Sequence, residues 1–405
     1  MNVLMFSPGF PREMRYFTRG LAEVGANVIG LGDQPQSALE EPARSSVSMH
    51  VQVRSWQDED AILGQVTELS KRVRIDRVEC LWEPYMLLAA RIRETLGLPG
   101  MTVQQTVPFR DKEVMKRVLD AAGIRTPHHY SATTSAQVVE AAEAVGYPLI
   151  VKPIAGAGSE NTYRIESREQ LDAILPSLRS VTEVSVEEFV EGDDMTYETI
   201  CVDGRIEHYS IGTYIPRALD MKTNEWISPI TLVYRDPDDE ALAAGKAMGE
   251  EVLKALDFQT GYTHMEWYRT SEGEAIFGEI GGRPPGAYLV DLINYASDID
   301  TYTGWAEAVV HGRFSQQVDR KFNAAWIFKR ARGQGRIQRY EGLEPLLSEI
   351  GPHVVAIDLN PIGAPRRDWR NVLVGDGMII VRHPDLPSTV DMAGKVASRL
   401  EIVAG

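Results

Sequence analysis

The sequence predicts a multi-domain α/β and α+β protein, in which a parallel α/β unit is followed by a mixed unit built on hairpins and then by a lobe of different character. Three observations carry this reading. From residue 3 the chain runs strand (VLMF), glycine-containing loop (SPGFP), amphipathic helix to Gly25, then strand (NVIGL), the opening of a parallel α/β domain. Further on, Asp203-Gly204 sits between TYETICV and RIEHYSI, a hairpin pattern with a two-residue turn. Finally, 405 residues with 43% hydrophobic content exceed the needs of one core.

The elements follow in order. A helix over 62–73, a strand at Val78–Trp82 and a helix over 87–96 ending at Gly97 complete an N-terminal α/β domain, residues 1–108. DKEVMKRVLDAAGI then places Val114, Met115, Val118 and Leu119 on one helical face, with Gly123 as a stop. It opens a second domain, 109–310. Within that domain a small lid subdomain, about 125–190, contains helix 135–145, strand YPLIVKP, a glycine loop, helix 168–178 with a Ser167/Gln170 capping box, and strand VSVEEFV. Helix 238–256 and a second hairpin complete the domain. From 311 to 405, Arg-rich and strand-like pieces and a terminal helix form a C-terminal lobe.

Composition excludes several function classes. The formal charge is 42 − 58 = −16 with no long basic block, so the electrostatic footprint of a nucleic-acid or anionic-membrane partner is missing. Cys80 and Cys201 lie in apolar runs and read as buried reduced thiols. No stretch reaches membrane-spanning length and MNVLMFSPGF lacks a signal-peptide pattern. A cytoplasmic location is expected.

The chemistry concentrates in three stretches. In HMEWYRTSEGEAIFGEIGGRPPG (264–286) a tight turn at Glu272-Gly273 would pair Ser271 with Glu274, Thr270 with Ala275, Tyr268 with Phe277 and Glu266 with Glu279. Met265, Trp267, Ile276 and Ile280 would then share the opposite, core-facing side. Opposed like charges destabilise a strand pair, and a divalent cation between Glu266 and Glu279 would remove the conflict. A salt bridge to a distant Arg or Lys, or a slipped register, would also do so. In LIVKPIAGAGS a strand delivers Lys152 into a loop with Gly156, Gly158 and Ser159, where backbone N–H groups could form an anion nest beside a point charge; a plain turn is the alternative. In VSVEEFVEGDD a strand edge near Glu188 and Val190 could meet a purine through its backbone, or be a solvated strand end.

The ordered series DK (111–112), VKP with its Gly/Ser loop (151–159), EEFVEG (187–192) and Glu266, Glu279, Arg283 resembles the motif set of the ATP-grasp superfamily. That resemblance implies an ATP-grasp fold with a pre-ATP-grasp N-terminal domain, and both ATP and Mg²⁺ (or Mn²⁺) as cofactors. It implies Lys112 and Lys152 at the ATP phosphates, with loop 155–159 closing over them. It also implies Glu187 at the adenine amine, Glu188 and Val190 backbone at the purine edge, Asp194 at the ribose, and Glu266 with Glu279 on the metal. Gly281 departs from the family's usual Asn and leaves the third metal ligand open. LLAARIRETLGLPG, FRDKEVMKRVLDAAGIRTP and EIGGRPPG look most like the L-amino-acid ligases among the carboxylate–amine ligases, the bacilysin-type dipeptide ligases included. That branch implies Arg283 at the carboxylate or acyl phosphate. His264, where D-alanine–D-alanine ligases carry an arginine, is either a strand residue or a charge stabiliser. The expected function is amide or peptide bond formation from small-molecule carboxylate and amine substrates, with an amino acid expected among them, through an acyl phosphate. A carboxylase or purine-pathway type of reaction, or ATP binding without turnover, are the alternatives. A homodimer is the default assembly.

Overall fold

The computed structural model describes residues 1–154, 162–180, 183–370, 372 and 374–405. At the N-terminus, strands β1 (Asn2–Phe6), β2 (Asn27–Gly32), β3 (Val47–Gln52) and β4 (Arg77–Glu79) form a parallel sheet in the order β3-β2-β1-β4. β1 and β2 read as apolar runs because helices cover the sheet, whereas half of the edge strand β3 is exposed. The helix that leads into β4 spans Glu59–Ser70, three residues earlier than the periodicity suggests, because the Asp58 carboxylate caps it by accepting from the Ala61 N–H. Helix Met86–Leu96 ends at Gly97 in the left-handed conformation, φ 64°.

Helix Lys112–Ala121 follows, its first turn capped by the Asp111 side chain. Beyond it lies a small antiparallel sheet of β5 (His129–Ala132), β6 (Leu149–Pro153), β7 (Tyr163–Ile165) and β8 (Val184–Glu188), in the order β5-β8-β6-β7. Helices Ser135–Val145 and Arg168–Ile174 pack on it through Val138, Ala142 and Leu171 against Leu149, Val151 and Val186. Ser167 caps the second helix, but Gln170 accepts from the Glu166 N–H in place of the reciprocal bond to Ser167.

The centre of the molecule is one eight-stranded sheet. It contains β9 (Asp193–Val202), β10 (Arg205–Ile215), β11 (Ile230–Val233), β12 (Gly261–Arg269), β13 (Ala275–Gly281) and β14 (Asn323–Lys329). After the short strands β15 (Arg332–Gly333) and β16 (Ile337–Glu341), β17 (Val354–Leu359) and β18 (Gly377–His383) complete it in the order β13-β12-β9-β10-β11-β14-β18-β17. The strands after residue 311 therefore continue the sheet that carries the acidic hairpin. Only β15, β16 and the last strand, β19 (Glu401–Ala404), form a separate small sheet among the described residues.

The hairpin of 264–286 keeps part of its expected register and changes the rest. Glu266 faces Glu279, Met265 faces Ile280 and His264 faces Gly281. Nearer the turn the pairing shifts by one, so Trp267 meets Phe277, Tyr268 meets Ile276 and Arg269 meets Ala275. The Thr270 N–H donates to the Glu274 carbonyl, which leaves residues 271–273 as a three-residue loop with Gly273 at φ 84°. Gly278 absorbs the extra residue as a bulge. Phe277 thereby joins Trp267 in the core, while Ile276 moves to the side of the acids.

Candidate active site

Strand register places both acids of the hairpin on one sheet face, and nearby cations offset their repulsion. The Lys112 ammonium donates to Glu279 Oε1 at 2.8 Å. His264 lies 3.5 Å from Glu266 through Nε2, and its Nδ1 meets Glu198 at 2.9 Å. Glu198 is fully buried on β9, directly opposite His264, and also accepts from Thr196 and Ser210. Burial opposes a charged imidazole, but the bonds to Glu198 and Glu266 raise the His264 pKa to about 9. Desolvation in the site likewise opposes the Glu266 carboxylate, and His264 outweighs it, holding the acid below its usual range even though the side chain is about half exposed. The sequence places His264 beside the acids; Glu198, 66 residues away, carries no local signal.

A second cluster joins the small sheet to helix Lys112–Ala121. Lys152, near the end of β6, donates to Glu187 Oε2 at 2.8 Å, and Lys116 donates to Glu187 Oε1. Burial disfavours the Glu187 carboxylate, but Lys152 and Lys116 outweigh it and hold the group well below the usual carboxylate range. Both oxygens of Glu187 are thus engaged by lysines. Lys116 was not among the expected site residues; its signal is the spacing of four from Lys112, which sets both on one helical face.

The remaining nucleotide-side residues are also tied into the protein. The Glu188 carboxylate takes a forked pair of bonds from Arg125 at 2.9 and 3.0 Å, and its N–H donates to the His128 carbonyl. The Val190 carbonyl accepts from Arg217 at 2.9 Å. Asp194 accepts from Arg217 Nε and from the Ala218 N–H, each at 2.8 Å. Asp194 thereby anchors the segment that begins at Arg217, and the Glu188 side chain pins the start of β5. Gly156, Gly158 and Ser159 lie outside the described residues.

Arg283 stands across the hairpin from this cluster. Its Nε donates to Glu83 at 2.7 Å and its Nη1 to the Pro284 carbonyl at 2.8 Å. Glu83 follows the end of β4 and is buried between Arg283 and Arg110, whose Nη1 donates to its other oxygen. Burial raises the pKa of Glu83, but the two arginines overcome it and keep the acid ionised.

Two cavities meet at the acidic pair. One is lined by Lys112, Lys152, Glu187, Val190, Asp194 and Tyr268; the other by His264, Arg283, Met221, Trp326 and Phe328. Glu266, Glu279 and Tyr214 line both. Paired carboxylates beside a lysine-lined cavity suit a hard divalent cation that completes its coordination with phosphate oxygens and water. Among the described residues no cluster of three or more His, Cys, Asp or Glu stands ready to hold a metal by itself. Nor, among them, is any helix long and apolar enough to cross a membrane.

Comparison with known proteins agrees with this architecture. Residues 22–100 match the ATP-grasp N-terminal domain and residues 109–218 the ATP-grasp domain. An L-arginine-specific L-amino acid ligase of Bacillus subtilis is 25% identical over 265 residues, covering 61% of this chain and 63% of that protein. The chain spans between half and two thirds of the length of the curated relatives it matches first. An L-amino acid ligase from Bacillus licheniformis superposes with a TM-score of 0.79 at 19% identity, over 100% of this chain and 98% of that one. Phosphoribosylglycinamide synthetase from Anaerococcus prevotii gives 0.72 at 16% identity, over 100% and 99%. The chain belongs to the ATP-grasp superfamily and resembles its L-amino-acid-ligase type of carboxylate–amine ligases.

Proposed function

We propose that the protein is an ATP-dependent carboxylate–amine ligase that forms an amide bond through an acyl phosphate, with an amino acid as the acid. The observation that supports this reading most is the wall shared by the two cavities. The cavity with Lys112 and Lys152 and the cavity with Arg283 both open on Glu266 and Glu279, and their cationic groups suit phosphates in the first and a carboxylate in the second. That arrangement suits transfer of a phosphoryl group from a nucleotide in one cavity to a carboxylate in the other.

Glu266 and Glu279 would hold Mg²⁺, which when bound supplies neutralisation of phosphate charge. Lys112 and Lys152 would move from Glu279 and Glu187 onto phosphate oxygens, exchanging one anionic partner for another. The carboxylate oxygen attacks the γ-phosphorus, the bond to the β-phosphate oxygen breaks, and ADP leaves. Arg283 would hold the acid through its planar guanidinium, fixed in orientation by Glu83 and the Pro284 carbonyl. An amine then attacks the acyl carbon and expels phosphate. His264, held charged by Glu198, offers a further donor beside the transferred group.

The test is ADP and phosphate release over panels of acids, bicarbonate included, and amines, with ¹⁸O in the acid carboxylate. Label in the released phosphate, dependent on both substrates, supports the ligase. Release that needs only bicarbonate favours a carboxylase, and ATP binding without turnover across the panels removes the enzyme reading.

A further inference from the structure

The acid-side cavity has two chemically distinct ends. Arg283, His264, Glu266 and Glu279 form the polar end, and Met221, Leu289, Trp326 and Phe328 line the other. Those four side chains are between 2% and 6% exposed. Their convergence follows from register: β11 pairs with β14 so that Thr231 faces Trp326, and Phe328, two residues on, lies on the same sheet face. The Phe328 N–H is fixed to the Pro229 carbonyl at 2.8 Å. Leu289 opens helix Leu289–Ser297 directly after the Arg283–Gly286 segment, and Met221 comes from helix Ala218–Thr223, whose first N–H is held by Asp194. Arg283 and Leu289 are therefore tied by a short piece of chain, so a carboxylate at the first directs its substituent toward the second.

We infer that the acid carries a large apolar side chain, branched aliphatic or aromatic, seated on Met221, Leu289, Trp326 and Phe328. This rests on the reading that Arg283 and the acidic pair take the carboxylate end. Burying such a side chain displaces water from an apolar wall, whereas a charged one would lose its hydration there. The polar groups toward that end are the Thr231 hydroxyl, the Trp326 indole N–H, which has no hydrogen-bond partner among the described residues, and Lys222, which already has a partner of its own. A small acid such as glycine would leave the wall uncovered. Discrimination by apolar contact runs at roughly 10- to 200-fold per methylene-sized difference.

The experiment separates this inference from the ligase reading by measuring binding and turnover apart. With the full chain, Mg²⁺ and a non-hydrolysable ATP analogue, calorimetric titration of leucine, phenylalanine, glycine, glutamate and lysine should show leucine or phenylalanine binding at least about 10-fold tighter than the other three. Phe328→Ala should weaken that preferred acid about 10-fold or more without changing analogue affinity. If Phe328→Ala does not fold, Met221→Gln, on a short surface helix, should lower the same preference. Glutamate, lysine or glycine binding as well as leucine and phenylalanine overturns the inference, and so does an unchanged preference in the folded variants. Tight binding of leucine or phenylalanine without ADP release upholds the pocket and sinks the ligase. ADP release best supported by glycine or a charged acid does the reverse.

Discussion

Arg283 donates to Glu83 at 2.7 Å across 200 residues of sequence, so the residue expected to bind substrate carboxylate already rests on a carboxylate of the N-terminal domain. The bond through Nε and the one from Nη1 to Pro284 fix the plane of the guanidinium. Lysine cannot reproduce that fork. Arg283→Lys should keep nucleotide affinity and slow acid-dependent ADP release by about 10²-fold. Wild-type turnover, or joint loss of ATP binding and stability, would show that the Glu83 contact is its whole role.

Lys116 is almost wholly buried against Glu187, with Lys152 on the other oxygen. Removing one partner of a buried ionic cluster leaves charge uncompensated. Lys116→Met should therefore cost about 3 kcal/mol in chemical denaturation. Lys116→Met combined with Glu187→Leu should recover part of that loss, because the second change removes the stranded acid. A double variant whose loss equals the sum of the two singles would mean that Lys116 acts through packing and not through Glu187.

His208 gives a pH prediction away from the candidate site. It is buried on β10, its Nδ1 has no partner among the described residues, and burial, then Arg320, lowers its pKa to about 3. Its unfolded value lies near 6.5. Between the two the unfolded chain binds a proton that the native protein refuses, so stability falls as pH drops from 6.5 toward 3, by about 1.4 kcal/mol per unit. Urea midpoints at pH 7 and pH 5 should differ by correspondingly less in His208→Gln. Equal differences in both proteins would show that other groups set the acid sensitivity.

Much of this geometry was legible in sequence where the signal is local. The alternation around Glu272-Gly273 was enough to pair Glu266 with Glu279 and His264 with Gly281, as the register shows. The same pattern failed nearer the turn because one inserted glycine, Gly278, changes the parity of every later pair, and apolar Ile276 and Phe277 fit either face. Glu83, Glu198 and Lys116 gave no local signal of what they pair with. Their partners lie 200, 66 and 71 residues away, and an acid at a strand end or on a sheet face looks solvated until the opposing strand is known. Lys152 and Glu187 read as separate ligands of ATP, yet β6 and β8 are neighbours in one sheet and the two side chains meet.

Lys112 and His264 change what is expected of the acidic pair without metal. Since Lys112 bonds Glu279 and His264 approaches Glu266, little repulsion is left to relieve. Glu279 is about one-third exposed, so solvent screens its ion pair. Glu279→Gln should alter the melting of metal-free protein by no more than about 1 kcal/mol, while abolishing the added stability conferred by Mg²⁺ with an ATP analogue. A variant that still gains the wild-type increment would place the metal elsewhere.

Gly278 tests whether the bulge itself is needed to present the acids. A Cβ there would stand 2.8 Å from the Glu266 carbonyl oxygen and 3.2 Å from its carbonyl carbon, backbone atoms that can yield only by moving β12. Gly278→Ala should cost about 1–3 kcal/mol, the scale of forcing atoms into a packed site. It should also move Glu266 relative to Glu279, because the displaced carbonyl belongs to that residue. Mg²⁺ affinity in the presence of an ATP analogue should therefore fall more than analogue affinity measured without metal. Ala at 279+3 is not equivalent: Gly282→Ala would meet the ends of Met86 and the Phe109 ring at 3.2 and 3.4 Å, side chains that can shift, and serves as the control. If the two variants reduce Mg²⁺ affinity equally, the loss comes from general loosening of the hairpin. A selective loss in Gly278→Ala would tie the bulge to the spacing of the two carboxylates.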